Sequence, residues 1–220
     1  MRSLDEKIIM ESSSSKESIL KNIRKALTQP TEQPYPALDK VEFNFEETGE
    51  DLAIMFAEKF TALLGNFSIC TNEEDLVNQI NALAVERQWS DLYCTDDNIR
   101  SAFASFGFEQ FSTKSLAESD ASITKCELLV ARTGSIVLSS AVSSGRTTSV
   151  YAPVHICVAK ASQLVFDVKD ALKILQKKYG DQLPSMISFA TGPSRTSDIE
   201  KTLVVGVHGP KEVYCFLLDS

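Results

Sequence analysis

The chain has 220 residues, of which 43% are hydrophobic and 24% charged, an ordinary balance for a folded domain. Its formal net charge is −8, which argues against nucleic-acid binding because phosphates demand a basic face. No apolar run reaches about 18 residues, so we expect no membrane span. The first residues lack the apolar core of a secretory signal, and we expect a cytoplasmic protein.

Residues 1–50 predict a helical arm followed by a proline-containing linker. A polar run from Ser12 to Ser15 predicts a flexible segment. The apolar residues after it recur at helical spacing: Ile19, Leu20, Ile23, Ala26 and Leu27. The prolines of the linker favour an extended chain: Pro30, Pro34 and Pro36. Such an arm docks on its own domain or on a partner, and the sequence leaves both open.

Residues 51–220 predict one α/β domain. Its first half alternates helices and strands: helix Leu52–Leu64 with Gly65 as its C-cap, strand Phe67–Cys70, a helix capped by Thr71, strand Leu92–Cys94 and helix Asp96–Ala104. This alternation is typical of a parallel, Rossmann-like sheet.

The second half has a different rhythm. Two apolar runs, Leu128–Ala131 and Ser135–Leu138, lie so close in sequence that they must pair antiparallel or through a bulge. The later elements are strand Val154–Ala159, helix Asp167–Tyr179 ended by Gly180, and apolar runs Ile187–Ala190 and Val213–Leu218.

Five cysteines are present, and no two lie closer in sequence than Cys70 and Cys94. A metal or iron–sulfur site built from one segment needs clustered thiolates, so we expect no metal site in this chain. Most of the cysteines stand in or beside apolar runs, which predicts buried, reduced thiols.

The segment Thr191–Glu200 collects groups that suit an anion. Gly192 permits close backbone approach, and Ser194 and Thr196 supply hydroxyls. Arg195 adds a guanidinium that binds a carboxylate or phosphate, or else pairs with a nearby acid. Ser197–Glu200 matches a capping box and predicts a helix start, whose free N–H groups favour anions.

Two further motifs have both a functional and a structural interpretation. Gly206–Pro210 surrounds His208 with two glycines and a proline, so His208 is an acid–base group, a ligand contact or a loop-stabilising residue. Thr133-Gly134-Ser135 predicts either a polar pocket or a turn whose hydroxyls bond their own backbone. Ser143–Ser149 predicts a polar loop, which is either a lid or an ordinary surface loop. His155 is predicted to be a core histidine within a strand.

The candidate ligand-binding residues are Thr133, Gly134, Ser135, Gly192, Ser194, Arg195, Thr196, His208 and Gly209. None is assigned a catalytic role, and the sequence does not decide whether the chain is an enzyme.

Five motifs in this order resemble the LUD-domain family, also called the lactate-utilization protein C or YkgG family. They are Thr133-Gly134-Ser135, Gly145-Arg146, Pro153–Ile156, Gly192–Glu200 and Gly206–Pro210. The resemblance implies a three-layer fold of the NagB/RpiA/CoA-transferase-like type. It also implies a role beside two iron–sulfur proteins that oxidise L-lactate to pyruvate, with the clusters held by those partners.

Three functions compete at this point. The first is a subunit of that lactate-oxidising system, which binds a small anion or docks the iron–sulfur partners. The second is a stand-alone isomerase or transferase for a phosphorylated or CoA-linked acid, with Glu127 or Glu200 as the nucleophile of a transferase. The third is an interaction module that docks partners through the N-terminal arm.

Overall fold

The computed structural model describes residues 4–28, 45, 49–108, 111–112, 114–196 and 204–219. The chain divides into two compact units, Met1–Phe45 and Glu46–Ser220. In the first unit, helix α1 spans Leu4–Leu27. The predicted flexible run at Ser12–Ser15 is therefore wrong, because serine costs a helix only roughly half a kcal/mol relative to alanine. The predicted proline linker lies outside the described residues.

The described part of the second unit contains five more helices: α2 Leu52–Ala62, α3 Glu73–Arg87, α4 Asp97–Ser105, α5 Thr148–Tyr151 and α6 Val168–Tyr179. Its strands are β1 Asn66–Cys70, β2 Leu92–Tyr93, β3 Ala121–Lys125, β4 Leu128–Val130, β5 Ser135–Ser139, β6 Val154–Lys160, β7 Leu164–Val165, β8 Ile187–Ala190, β9 Arg195–Thr196, β10 Val204–Val205 and β11 Glu212–Leu218.

The larger sheet is parallel throughout and has the strand order β1-β11-β6-β3-β2. Helices α3 and α4 cover one face of it through a cluster of apolar side chains that includes Ile80, Phe103 and Ile156. The predicted Rossmann-like α/β fold is confirmed.

A second sheet, with the order β7-β4-β5-β8, packs on the other face of the parallel sheet. Strands β4 and β5 pair antiparallel, as their short connection predicted. Helix α2 shares this layer and contributes Phe56 and Phe60 to the core, while α6 packs on the second sheet through Ala171 and Leu175.

Two predicted helix ends differ from the structure. Asn72, not Thr71, caps α3, and its side chain accepts a 2.8 Å hydrogen bond from the Asp75 N–H. After α2 the left-handed residue is Leu64 (φ 69°), not Gly65. Gly65 is needed for a different reason: a Cβ there would lie 2.4 Å from the Phe60 ring.

Two glycines bring the second sheet against the end of α2. Gly134, in the turn between β4 and β5, has φ 60°, and a Cβ there would lie 2.6 Å from the Phe60 backbone nitrogen. Gly192, after β8, has φ 84°, and its Cβ would lie 2.4 Å from the Leu63 carbonyl oxygen. Any larger residue would both strain the backbone and push the second sheet away from α2.

We expect Gly134→Ala to lower the free energy of unfolding by about 2 kcal/mol more than Gly145→Ala. Gly145 has a similar φ of 64° but no atom within 4 Å of the added Cβ, so it isolates the backbone cost. Urea unfolding of both variants measures the difference. Equal losses would contradict the close contact with α2.

Candidate functional site

The motif Thr133-Gly134-Ser135 forms a hydroxyl chain with Thr191. The Thr133 and Ser135 hydroxyl oxygens lie 2.7 Å apart, and those of Ser135 and Thr191 lie 2.8 Å apart. Ser135 begins β5 and Thr191 follows β8, and these strands pair antiparallel. The three hydroxyls therefore satisfy one another's hydrogen bonds across the paired strands. They have a structural role beside Gly134 and Gly192 and need no ligand.

Arg132, just before this motif, anchors the same turn to α6. Its guanidinium donates to Asp167 Oδ1 at 2.9 and 2.7 Å. Asp167 in turn caps α6 by accepting from the Val168 N–H. This ion pair fixes the turn between β4 and β5 from the side opposite the α2 contact.

The structure joins the two C-terminal motifs around Ser194. The Ser194 N–H donates to the Pro210 carbonyl at 3.0 Å, and the Gly206 N–H donates to the Ser194 carbonyl at 2.9 Å. Gly209 lies so near that a Cβ on it would be 3.0 Å from Ser194 Cβ. Predicted residues from both motifs thus meet in one place.

Arg195 and Thr196 form β9, which pairs antiparallel with β10. Arg195 is exposed and pairs with Val205, the residue before Gly206, so its backbone lies beside the start of the Gly206–Pro210 loop. The predicted helix start at Ser197–Glu200 lies outside the described residues.

A cavity of about 510 Å³ opens beside the Gly206–Pro210 loop. We name it the signature-loop cavity. Its lining is Val150, Tyr151, Ala152, Pro153, Gly206, Val207, His208, Gly209 and Lys211. Pro153 and Lys211 immediately precede β6 and β11, and the Lys211 N–H donates to the Pro153 carbonyl at 2.7 Å. The cavity therefore lies at the amino ends of the central parallel strands.

The candidate residues accordingly fall into two places. Thr133, Gly134, Ser135 and Gly192 pack at the end of α2, where their contacts are structural. His208 and Gly209 line the signature-loop cavity, and Ser194 contacts the same loop. Arg195 and Thr196 follow Ser194 in β9 and pair with β10, outside the lining of the cavity. Tyr151 and Lys211 also line the cavity and were not predicted from the sequence, although Lys211 directly follows the Gly206–Pro210 motif.

The predicted polar loop Ser143–Ser149 ends in α5, which begins at Thr148, and its first residue is tied to the start of α4. The Ser143 hydroxyl donates to Asp96 Oδ2 at 2.6 Å, and Lys125 donates to Asp96 Oδ1 at 2.9 Å. Burial opposes ionisation of Asp96, but these hydrogen bonds outweigh it and lower its pKa to about 2. Asp96 therefore stays charged and links the loop to both α4 and β3.

Glu127, a candidate transferase nucleophile, is enclosed by donors. Its oxygens accept from Ser139 at 2.5 Å, Tyr179 at 2.6 Å and Lys178 at 2.7 Å, and its side chain is 1% exposed. Burial raises its pKa, but the three donors outweigh burial and keep the pKa below its usual value. A carboxylate so enclosed cannot reach a substrate, so Glu127 is a structural group.

His155 lies inside β6 as a core residue, as the sequence predicted. Its Nε2 is 2.8 Å from the Thr124 hydroxyl, and both side chains are buried. Burial lowers the pKa of His155 to about 4. The imidazole is therefore neutral at physiological pH.

All five cysteines are free and buried, in agreement with the predicted reduced thiols. Burial raises the pKa of Cys94 to about 11, so this thiol stays protonated. Among the residues that the structure describes, no group of three or more His, Cys, Asp or Glu is placed to hold a metal ion. In the same part of the chain, no helix is long and apolar enough to cross a membrane.

The fold and this cavity define a Rossmann-like α/β protein with a glycine-rich loop at the amino edge of its sheet. The family model described as LUD domain matches residues 108–218. Lactate utilization protein C 1 of Bacillus mycoides (strain KBAB4) is 30% identical over 170 residues, which cover 68% of this chain and 72% of that protein. The chain belongs to the LUD-domain family.

Other relatives align over a shorter region. Lactate utilization protein C of Bacillus subtilis (strain 168) is 36% identical over 109 residues, and the alignment spans less than half of each protein, 48% and 45%. The crystal structure of a DUF162 family protein from Deinococcus radiodurans superposes with a TM-score of 0.56 at 17% identity. It covers 76% of this chain and 96% of that one, and it supports the fold.

We expect the buried neutral His155 to make stability fall on mild acidification. Its folded pKa of about 4 lies below the value of 6.5 for the unfolded chain, so its contribution is complete above pH 6.5 and is lost as the pH falls toward 4. Between pH 7.5 and 5 the free energy of unfolding should drop by about 2 kcal/mol from this residue.

Urea unfolding of the wild type and His155→Gln at both pH values measures this effect. The glutamine variant should lose the added pH dependence, because its amide bonds Thr124 without titrating. The exposed His208 remains in both proteins as an internal control. The same pH dependence in both proteins would contradict a neutral buried His155.

Proposed function

We propose that this chain serves in L-lactate utilization as the subunit that binds a small carboxylate at the signature-loop cavity, beside iron–sulfur partners that carry the electrons. One observation supports the ligand class most strongly. In a chain of net charge −8, the described lining of this cavity has Lys211 and His208 and no Asp or Glu.

The charges around the cavity also favour an anion. Glu212 follows Lys211, but its carboxylate already accepts from Arg87 at 2.9 Å and from the Tyr214 hydroxyl at 2.8 Å. Arg195 stands in register with Val205 at the same end of the loop. A carboxylate in the cavity would therefore meet Lys211, the His208 ring and the backbone N–H groups of a glycine-rich loop, and in our proposal the Arg195 side chain reaches it from beside that loop.

The pathway is supported by the names of the relatives, which are lactate utilization proteins. Oxidation of lactate to pyruvate releases two electrons and two protons, so it needs an electron acceptor. We assign the iron–sulfur clusters to partner proteins, as the family resemblance implies, and we place this chain in the cytoplasm with them.

The transferase alternative is less favoured because Glu127 is enclosed and charge-paired. If Glu127 were the nucleophile, incubation with an acyl-CoA followed by hydroxylamine would label it. We expect no labelled glutamate among residues 49–196. A hydroxamate on Glu127 would overturn the subunit proposal in favour of a transferase.

The arm alternative rests on α1, whose side chains Ile19, Ile23 and Leu27 are exposed. In our proposal the arm is not the ligand site. Removal of residues 1–50 should therefore leave carboxylate binding unchanged, while a loss of partner capture alone would assign docking to the arm.

The ligand proposal predicts that Arg195→Ala weakens binding of L-lactate and pyruvate about tenfold, because a charge-assisted hydrogen bond is lost. Arg24→Ala, which removes an exposed arginine in α1, is the matched control and should bind like the wild type. Isothermal titration calorimetry on the full chain provides both affinities. Equal affinity of the wild type and Arg195→Ala would contradict the site.

The role in L-lactate utilization is tested in cells. Deletion of the gene should slow growth on L-lactate as carbon source but not on glucose, and the tagged protein should capture iron-containing partners from lactate-grown cells. Unchanged growth on lactate together with no captured iron protein would overturn it.

A further inference from the structure

A second cavity lies at the opposite, carboxyl edge of the parallel sheet. Three neighbouring strands end there, since Lys125, Lys160 and Leu218 are the last residues of β3, β6 and β11. Helices α3 and α4 begin beside it, with Glu73 and Asn98 on its rim. We name it the carboxyl-edge cavity; it shares no lining residue with the signature-loop cavity.

The carboxyl-edge cavity lies where open α/β sheets usually bind ligands. In open α/β sheets, ligands bind in the crevice outside the carboxyl ends of the strands, where helix N-termini add partial positive charge. The loop with the family motifs lies at the other edge, so the fold carries an unassigned cavity at the place where such sheets usually bind small molecules.

The inner wall of the carboxyl-edge cavity is apolar. Val77 of α3, Ile99, Ala102 and Phe103 of α4, and Val158 of β6 line it. The volume is about 220 Å³, which is room for about seven water-sized groups at roughly 30 Å³ each. A ligand here would place a short apolar body against these side chains.

The polar groups are confined to the rim, and most of them already have partners. Lys125 pairs with Asp96 at 2.9 Å. The Gln163 amide accepts from the Lys160 N–H at 2.8 Å and donates to the Cys126 carbonyl at 2.7 Å. Among the described residues, the Lys160 ammonium and the Asn98 amide have no ion pair or side-chain hydrogen bond, so both are available to a ligand.

The rim also limits the charge of that ligand. Asp96 is neutralised by Lys125, so Lys160 and the acidic Glu73 are the charges that remain. A second negative charge on a ligand would meet Glu73, whereas a single carboxylate is satisfied by Lys160 and Asn98. The apolar wall disfavours a body as small and polar as that of lactate.

We propose that the carboxyl-edge cavity binds a monocarboxylate with an apolar body of about five carbon atoms, its carboxylate on Lys160 and Asn98 and its chain against Val77, Ala102 and Phe103. The site is separate from the lactate site proposed above. Hexanoate is a suitable probe, with 1-hexanol as its uncharged analogue and L-lactate as the short, polar acid.

Calorimetric titration of the full chain tests the proposal. We expect saturable binding of hexanoate at least tenfold tighter than that of 1-hexanol at this cavity. Lys160→Gln should weaken hexanoate binding about threefold, as for an exposed charge contact. Lys160→Glu should weaken it further by repulsion. Lys173→Glu, an exposed position on α6, is the matched control and should bind like the wild type.

Two more variants locate the ligand. Ala102→Phe fills the carboxyl-edge cavity and should reduce hexanoate affinity at least tenfold. Thermal unfolding confirms that this variant folds. Arg195→Ala should leave hexanoate binding unchanged, so failure of this site and failure of the lactate site are distinguishable. Absence of hexanoate binding, equal binding of 1-hexanol, or wild-type affinity in both Lys160 variants would each overturn the proposal.

Discussion

The contact of two glycine backbones with the last turn of α2 determines where the rest of the domain lies. Helix α2 packs on the parallel sheet through Phe56 and Phe60, beside Cys157 and Leu217. Gly134 and Gly192 touch that helix so closely that no side chain fits. These contacts set the distance between the second sheet and the parallel sheet. They also position the segment that leads to Ser194.

The position of the second sheet bears on one of two cavities, which lie at opposite edges of the parallel sheet. The segment after Gly192 crosses to the amino ends of β6 and β11, where Ser194 bonds the Gly206–Pro210 loop and the signature-loop cavity forms. The carboxyl ends of the same strands stay open between α3 and α4. The amino edge therefore carries the groups that favour a small anion, whereas the carboxyl-edge cavity has an apolar wall.

Much of this architecture was predictable from the sequence because apolar runs and turn residues are local signals. The antiparallel β4–β5 pair and α6 agree with the prediction. Strand β3 was not predicted, because two of its buried residues are polar and break the apolar pattern of a buried strand. Ser122 bonds the Val154 carbonyl and Thr124 bonds His155, and both partners lie more than 30 positions away in sequence. The hydrogen bonds that enclose Glu127 were not predictable for the same reason, because their donors Tyr179 and Lys178 belong to α6, which is distant in sequence.

The candidate site was predictable in composition but not in arrangement. Thr133 and Ser135 resemble pocket residues in the sequence, yet the Ser135 hydroxyl bonds both Thr133 and, from the paired strand β8, Thr191, which makes them structural. The function proposed for this chain depends on the binding of a small carboxylate at the signature-loop cavity. Titration of the isotope-labelled chain with L-lactate, followed through the amide NMR shifts, detects such binding residue by residue. We expect shifts at Arg195 and Gly206–Gly209, whereas shifts confined to Asn98 and Lys160, or none at all, would contradict it.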